Sequence, residues 1–468
     1  MNMTTLSKPT VGGVMRKEQR ARAHRITSVF IEGLFGLHTY NIQVSRTPGV
    51  PGPSLLILYG DNGTGKTTIL QLVYHLLGKE DDRGHRSYLA RIPFRRLRVT
   101  LDSGTTIEAE RTSPSLVGTY RLRITKGSTV LSEAEAIADP NLAVHSSTVG
   151  TPEQQRRWQS FIEALTALDL TFFFLADDRK SNDPRDTDMP PEGLDPATVF
   201  VDRVRWHRVP DRRGDDFGLE EIVERLEKWI RDEALRGTNV GEAGTNTVYA
   251  DIAKRIAQTG RPGRQSKAVS VDLVASLAAL ELRSKPFAVL GLVSPPKLTE
   301  IVSTLETSSP AKQQLIANVV SPYVDSLRAR LDALQDIQEI MTLFLESINS
   351  FFGYKTVSYD LARGLDIATP QGAKLEPSQL SSGERQLLAL LAQVLIARRA
   401  ATLFLIDEPE ISLNVKWQRV LVDTLLRLVR GTDVQFILAT HSLELLATHR
   451  DHVHRLAAPS KDNDIRAV

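Results

Sequence analysis

Apolar and polar positions alternate in different ways along the chain and divide it into three stretches. Between 26 and 44 apolar residues alternate with polar ones and are broken by Gly33 and Gly36, which predicts a β-hairpin. The proline- and glycine-rich segment Thr47 to Pro53 reads as a loop. Leu55 to Tyr59 is apolar without a break, the pattern of a strand covered on both faces, and a helix is predicted from about Lys66 to Leu77. Alternation returns across 90–131, at Leu97, Val99 and Leu101 and again at Tyr120, Leu122 and Ile124, predicting antiparallel strands. A helix over 152–168 and a buried strand over Leu170 to Ala176 close this stretch.

From Asp177 to Pro196 the composition turns to Asp, Arg and Pro, marking an exposed loop or domain boundary. Residues 215–352 read as almost entirely helical. In 312–352 Val320, Val324, Leu327, Leu331, Leu334, Met341, Leu345 and Ile348 recur mostly at three- and four-residue steps. Such a seam predicts a helical hairpin or short coiled coil, serving as internal core or as a self-association surface. Pro322 is expected to kink that element or start its helix.

After Gly353 the β pattern resumes, followed by a helix from Ser382, a strand over 402–406, a helix over about 414–430 and a final strand over 434–440. The expected fold class is α/β, a core of mixed parallel and antiparallel sheets interrupted by a largely helical, coiled-coil-like insertion. The expected domains are residues 1–180, 181–352 and 353–468, with the first and last forming the two halves of one core.

Composition narrows the function classes. The 58 basic and 56 acidic residues leave a net charge of +2, too small to argue for nucleic acid. The absence of cysteine removes disulfides, thiolate zinc sites and a cysteine nucleophile, and suits a reducing compartment. Arg16, Lys17, Arg20, Arg22 and Arg25 are not followed by the apolar core of a signal peptide. The longest apolar run, Leu387 to Ala397, is interrupted by Gln393 and shorter than the ~20 residues of a membrane span. A cytoplasmic protein with no membrane partner is expected.

Four segments carry chemistry. Gly60 to Thr68, GDNGTGKTT, fits G-x-x-x-x-G-K-[ST] between a predicted strand and helix. Gly60, Asn62, Gly63 and Gly65 let backbone amides curl round phosphates, at a helix start that favours anions. Lys66 reaches the β- and γ-phosphates of ATP, Thr67 belongs on Mg²⁺, and Thr68 completes the motif. In LFLIDEPEISLN, Leu403 to Asn414, an apolar strand ends in Asp407, a metal-holding carboxylate, and Glu408, a general base. In LSSGERQLL, Leu380 to Leu388, Ser382 and Gly383 start a helix and can face a phosphate, although a serine followed by Glu384 is also an ordinary N-cap. His441 follows the last core strand, at the strand end where α/β sheets bind ligands.

Together and in this order, the P-loop, the LSSGE signature, the LIDEPE Walker B with its SLN D-loop and the terminal histidine resemble the ABC-type ATPases. The resemblance covers 26–131, about 170–178 and 354–446. It implies that Ser382 and Gly383 of one subunit close over ATP held at Lys66 of another, in an ATP-sandwich dimer or a higher oligomer. The separation of Lys66 from Gly383 is far greater than in transporter nucleotide domains, and SMC-like proteins carry longer coiled coils. The hairpin leading to NGTGKTT, the FFFLADDR strand and the PEISLN segment look like the RecF/OLD-like branch.

OLD nucleases continue into a Toprim domain, and none is expected in the stretch between His441 and Val468. The chain therefore resembles the ATPase subunits of two-gene anti-phage systems, PARIS-like first and Septu-like next, whose effector is a separate nuclease or toxin protein. The competing expectation is a RecF-like repair clamp on duplex DNA. DNA is a candidate partner because Arg91, Arg95, Arg96 and Arg98 cluster, as do Arg203, Arg205, Arg208, Arg212 and Arg213 around Trp206. One departure from the ABC pattern is expected at Ala176-Asp177-Asp178-Arg179, where the Q-loop glutamine is absent.

Overall fold

A computed structural model describes residues 24–44, 52–79, 84–144, 151–175, 219–237, 266–294, 298–399 and 402–456. In chain order these form β1 (Ile26–Leu34), β2 (His38–Gln43), β3 (Ser54–Tyr59), α1 (Lys66–Leu77), α2 (His85–Arg91) and β4 (Arg96–Leu101). Then come β5 (Thr105–Arg111), β6 (Tyr120–Lys126), β7 (Thr129–Ala136), α3 (Pro152–Ala167) and β8 (Phe172–Leu175). Four helices follow: α4 (219–237), α5 (Ser266–Val289), α6 (Leu298–Thr307) and α7 (Pro310–Phe351). The remainder is β9 (Thr356–Asp360), β10 (Gly364–Ala368), α8 (Ser382–Ala397), β11 (Leu403–Asp407), α9 (Val415–Leu428), β12 (Gln435–Thr440), α10 (Leu443–Leu446) and β13 (Val453–Arg455). The chain divides into two compact units. One draws on residues before 207 with 399–409 and 431–468, the other on 207–398 and 410–430.

The first unit is α/β and contains two sheets. Six antiparallel strands lie in the order β2-β1-β4-β5-β6-β7, and five parallel strands in the order β13-β3-β12-β11-β8. Alternation along β4 and β6 puts Leu97, Val99, Leu101, Tyr120, Leu122 and Ile124 inside, whereas β11 and β12 are buried at every position. The sheets are joined by a buried polar clasp. The side-chain amide of Gln435, at the start of β12, donates to the Ile26 carbonyl and accepts from the Ile26 amide, both at 2.8 Å. It acts as a strand partner where β1 begins.

Two buried guanidiniums fasten α1 and α2 to this core. Arg86 donates to the carbonyls of His75, Leu76 and Gly78, satisfying oxygens that the end of α1 leaves without helical partners. Arg111 donates to the carbonyls of Leu89, Ile92, Phe94 and Gly118, and its planar head lies over the Phe94 ring. Arg96 and Arg98, part of the first arginine cluster, pair with Glu110 and Glu108 directly across β5, and Arg95 donates to the Ser113 carbonyl. The second cluster, Arg203 to Arg213, lies outside the described residues, as does the junction Ala176–Arg179.

In the second unit the seam of 312–352 is one uninterrupted 42-residue helix, α7, roughly 63 Å long, rather than a hairpin. Its partner is α5, with Arg283 on α5 paired to Asp332 on α7 at 2.6 Å. Pro322 lies inside α7 and does not start it; Pro310 occupies the first turn, where a missing amide costs nothing. The burial of Val324, Leu331, Leu334, Met341 and Ile348 along the seam offsets the hydrogen bond that Pro322 cannot make. The strand expected to be last, β12, is followed by β13, three residues that pair with β3 and are too short to show a pattern in sequence. Among the described residues no helix is long and apolar enough to cross a membrane.

At the end of α1, His75 stacks on Tyr88 with centroids 4.0 Å apart, and its Nδ1 lies 3.0 Å from Nδ1 of His85. Burial, then the neighbouring charges of His85 and Arg86, hold the His75 imidazole well below its ordinary value near 6.5. The unfolded chain takes up a proton there near pH 6.5 while the folded chain resists it. Stability is therefore full above that pH and falls as pH drops, by up to about 1.4 kcal/mol per pH unit for this one proton. Melting temperatures measured from pH 8 to 5 should decline on the acid side, and His75→Gln should flatten the decline.

Candidate functional site

The parallel sheet decides where the sequence-predicted residues meet. Strands β3, β12 and β11 run side by side, with Thr440 paired to Tyr59 and Ala439 to Asp407. Their C-terminal ends therefore share one edge, the usual ligand-binding edge of a parallel sheet. Gly60, Glu408 and His441 are the first residues beyond those ends.

The loop between β3 and α1 is held by its own backbone. The Thr64 amide and hydroxyl both donate to the Asp61 carbonyl, at 3.3 and 2.8 Å, and Asn62 and Gly63 are exposed at the turn. Gly65 caps α1 at φ 86°, in the left-handed region, and a Cβ there would come within 2.9 Å of the Leu34 side chain. No side chain caps the helix start, so its first amides stay open to an anion. Lys66 is buried and donates from Nζ to the carbonyls of Gly60 and Asp61, at 2.8 and 3.2 Å. Thr67 and Thr68 are half-buried on the first turn of α1.

Across from the lysine, Glu408 places Oε1 3.8 Å from Lys66 Nζ and Oε2 2.5 Å from Nδ1 of His441. The carboxylate thus lies between a buried ammonium and an imidazole that is 55% exposed. Glu408 has φ 48°, a left-handed conformation that disfavours non-glycine residues by about 1 kcal/mol or more, and its amide is fixed by donation to the Ala439 carbonyl at 2.8 Å. Asp407 is buried one residue earlier, at the end of β11. Lys66, Asp407, Glu408 and His441 accordingly belong to one end of one sheet. An anion reaching Lys66 competes with Glu408 for the ammonium, and that competition can release the carboxylate toward a water.

Ser382 and Gly383 belong to the second unit, on the first turn of α8. The capping box is made by Ser381 and Glu384: Glu384 Oε2 accepts from the Ser381 amide and hydroxyl, both at 2.8 Å. The ordinary N-cap role thus falls to Ser381, and Ser382 is left exposed beside it. Gly383 is buried against the backbone of the D-loop segment, where a Cβ would run into the Ser412 carbonyl and lie 3.4 Å from the Trp417 ring. The Glu384 carboxyl is raised by burial, but hydrogen bonds from Lys355 and Ser381 outweigh this and hold it below its ordinary value.

Two supporting residues had no motif to announce them. Tyr40, inward-facing on β2, donates its hydroxyl to the Thr64 carbonyl at 2.9 Å and steadies the P-loop from the hairpin. Lys355 reaches Glu384 at 2.6 Å. Alternation on β2 marks Tyr40 as buried, but nothing in the sequence names its acceptor.

Residues 292–447 match the family described as "AAA domain, putative AbiEii toxin, Type IV TA system", a span that includes Ser382, Asp407, Glu408 and His441 and leaves out the P-loop. The chain is similar to the lipoprotein-releasing system ATP-binding protein LolD of Jannaschia sp., 28% identical over 188 residues, covering 36% of this chain and 80% of that protein. The LolD protein of Ruegeria pomeroyi is 41% identical over 81 residues, 17% of this chain and 34% of its own length. Among solved structures, the Smc head domain of Pyrococcus furiosus with an extended coiled coil, bound to the C-terminal domain of ScpA, aligns over 91% of each chain. Its identity of 14% and TM-score of 0.36 are too low to bear on this chain. The sequence matches agree in kind, on P-loop ATP-binding proteins of the ABC type.

Contact between Gly383 and the Ser412 carbonyl makes the glycine testable. Gly383→Ala should destabilise the second unit by about 1–3 kcal/mol, the cost of overpacking a tight site. The measurement is the denaturation midpoint, and an unchanged midpoint would mean that the Ser412 segment yields freely.

Proposed function

We propose that this protein is a Mg²⁺-dependent ATPase that hydrolyses ATP between two copies of itself and acts as the switch of an anti-phage system with a separate effector protein. The observation that carries the enzymatic part is Glu408, held between Lys66 at 3.8 Å and His441 at 2.5 Å beside the P-loop. The amides of Gly60 to Thr68 wrap the phosphates, and Lys66 leaves Glu408 for the β- and γ-phosphate oxygens. Glu408 then accepts a proton from the attacking water. His441, hydrogen-bonded to it through Nδ1, orients the carboxylate and offers its exposed edge to the γ-phosphate.

Thr67 and Asp407 supply only oxygen donors, a hydroxyl and a carboxylate, which suit a hard cation. They are the residues that would hold Mg²⁺, whose chemistry is to neutralise charge on the transferred phosphoryl group. Ser382 and Gly383 act on nucleotide bound to the other copy, because Ser382 is spared from the cap and stands exposed at a helix start. The family matched over 292–447 is described as a putative toxin of a Type IV TA system, which supports a place for this ATPase in a toxin-based system.

Two substitutions test the enzymatic part. Lys66→Ala should abolish nucleotide binding, read by titration with a fluorescent ATP analogue. Glu408→Gln should still bind ATP but hydrolyse it at least ~100-fold more slowly, given the scale of general-base contributions. Turnover at the wild-type rate would remove Glu408 from the role of base. For the switch, Glu408→Gln purified from its host with ATP and Mg²⁺ should carry a stoichiometric second protein. Nuclease-sensitive DNA in its place would overturn the effector reading in favour of a DNA clamp.

A further inference from the structure

The end of the long helix α7 and the start of α8 meet through two contacts that the proposed ATPase cycle has not used. Lys355, four residues beyond α7, places Nζ 2.6 Å from Glu384 Oε2, with both side chains largely withdrawn from solvent. That same carboxylate oxygen accepts the Ser381 amide and hydroxyl, so one atom gathers three donors. Phe351, the last residue of α7, meets the Trp417 ring edge to face at 5.8 Å. Trp417 in turn lies 3.4 Å from where a Cβ on Gly383 would stand. Between these contacts the chain is stiffened by Asn349, whose side chain accepts from the Val357 amide at 2.7 Å and donates to the Val357 carbonyl at 2.8 Å.

An ordinary capping box is complete with its serine and glutamate. Here a third group, carried by a different element, is added to it. An exposed ion pair would be worth little, but this one is short, mostly buried and shared with the cap, so its geometry is well determined. α7 and the helices α5 and α6 that pack on it form a helical arm, in which α5 meets α7 at Asp332 and α6 meets it near its start, where Gln313 donates to the Leu305 carbonyl. A rigid helix bound at both ends carries a displacement from one end to the other.

We propose that Lys355 is a positioning residue that ties the end of the helical arm to the segment bearing Ser382 and Gly383, so that a shift of the arm moves the signature and sets ATP turnover. The inference rests on the reading that Ser382 and Gly383 act on nucleotide held by a second copy. A partner that binds the arm then controls turnover without touching the nucleotide, and by reciprocity nucleotide state alters its affinity for the arm.

The test uses the full-length chain with ATP and Mg²⁺. Lys355→Met should leave affinity for a fluorescent ATP analogue within about twofold and lower kcat by roughly tenfold, within the usual range of coupling effects. In a Glu408→Gln background the same change should weaken ATP-dependent dimerisation by a similar factor, and Lys355→Arg should restore both. Unchanged kcat and dimer affinity in Lys355→Met would overturn the proposal. So would a joint fall of nucleotide affinity, kcat and melting temperature, which is the signature of a structural role alone. Ser382→Arg separates this from its premise: if that variant turns over ATP like the wild type, the signature has no part in turnover and both readings fall. If Ser382→Arg is inactive while Lys355→Met is unimpaired, only the positioning role falls.

Discussion

Strand β12, hydrogen-bonded in parallel between β3 and β11, is the pairing on which the site depends. Its register fixes Thr440 beside Tyr59 and Ala439 beside Asp407. The P-loop, the two acidic residues and His441 come from distant stretches of chain, and only this pairing makes them neighbours. A shift of one residue would turn every side chain of β12 to the opposite face and carry His441 away from Glu408. The apolar runs of β3, β11 and β12 resist such a shift. Every position of β11 and β12 is buried, and each large apolar side chain removed from water contributes about 1.5–3 kcal/mol.

Around that sheet the buried polar groups serve chiefly to close the backbone. Gln435 stands in for a missing strand at Ile26, while Arg86 and Arg111 satisfy carbonyls at the ends of α1 and α2. An unsatisfied buried carbonyl costs about 1–3 kcal/mol, so one guanidinium serving three or four of them is an effective solution. Burial lowers the Arg111 guanidinium to about 10, still far above neutral pH, so it keeps the charge its hydrogen bonds use. The result is a stiff mount for α1, whose first turn carries Lys66, Thr67 and Thr68.

In the second unit, local helix chemistry and proposed function are divided between adjacent serines. Ser381 closes the capping box with Glu384, and Ser382 is exposed one residue later. Gly383 is required by its approach to the Ser412 backbone, a packing constraint within the unit that operates whether or not nucleotide is present. Stability and chemistry therefore act on neighbouring atoms of one segment, and a substitution there needs readouts of both.

The sequence by itself determined the local elements and the residue types of the site. Uninterrupted apolar runs marked β3 and β11, alternation marked β4 and β6, and the glycine spacing of 60–68 marked a phosphate-type loop. These are properties of neighbouring residues, so periodicity and backbone sterics suffice to reveal them. Tertiary structure alone decided which serine caps α8, that 312–352 is one helix packed on α5 rather than a hairpin, and that β13 extends the sheet. It also decided that Tyr40 reaches Thr64, that Lys355 reaches Glu384 and that Glu408 lies between Lys66 and His441. Each of these joins residues whose separation along the chain carries no periodic signal, because hydrogen bonds and ion pairs depend on distance in space and not on position in sequence.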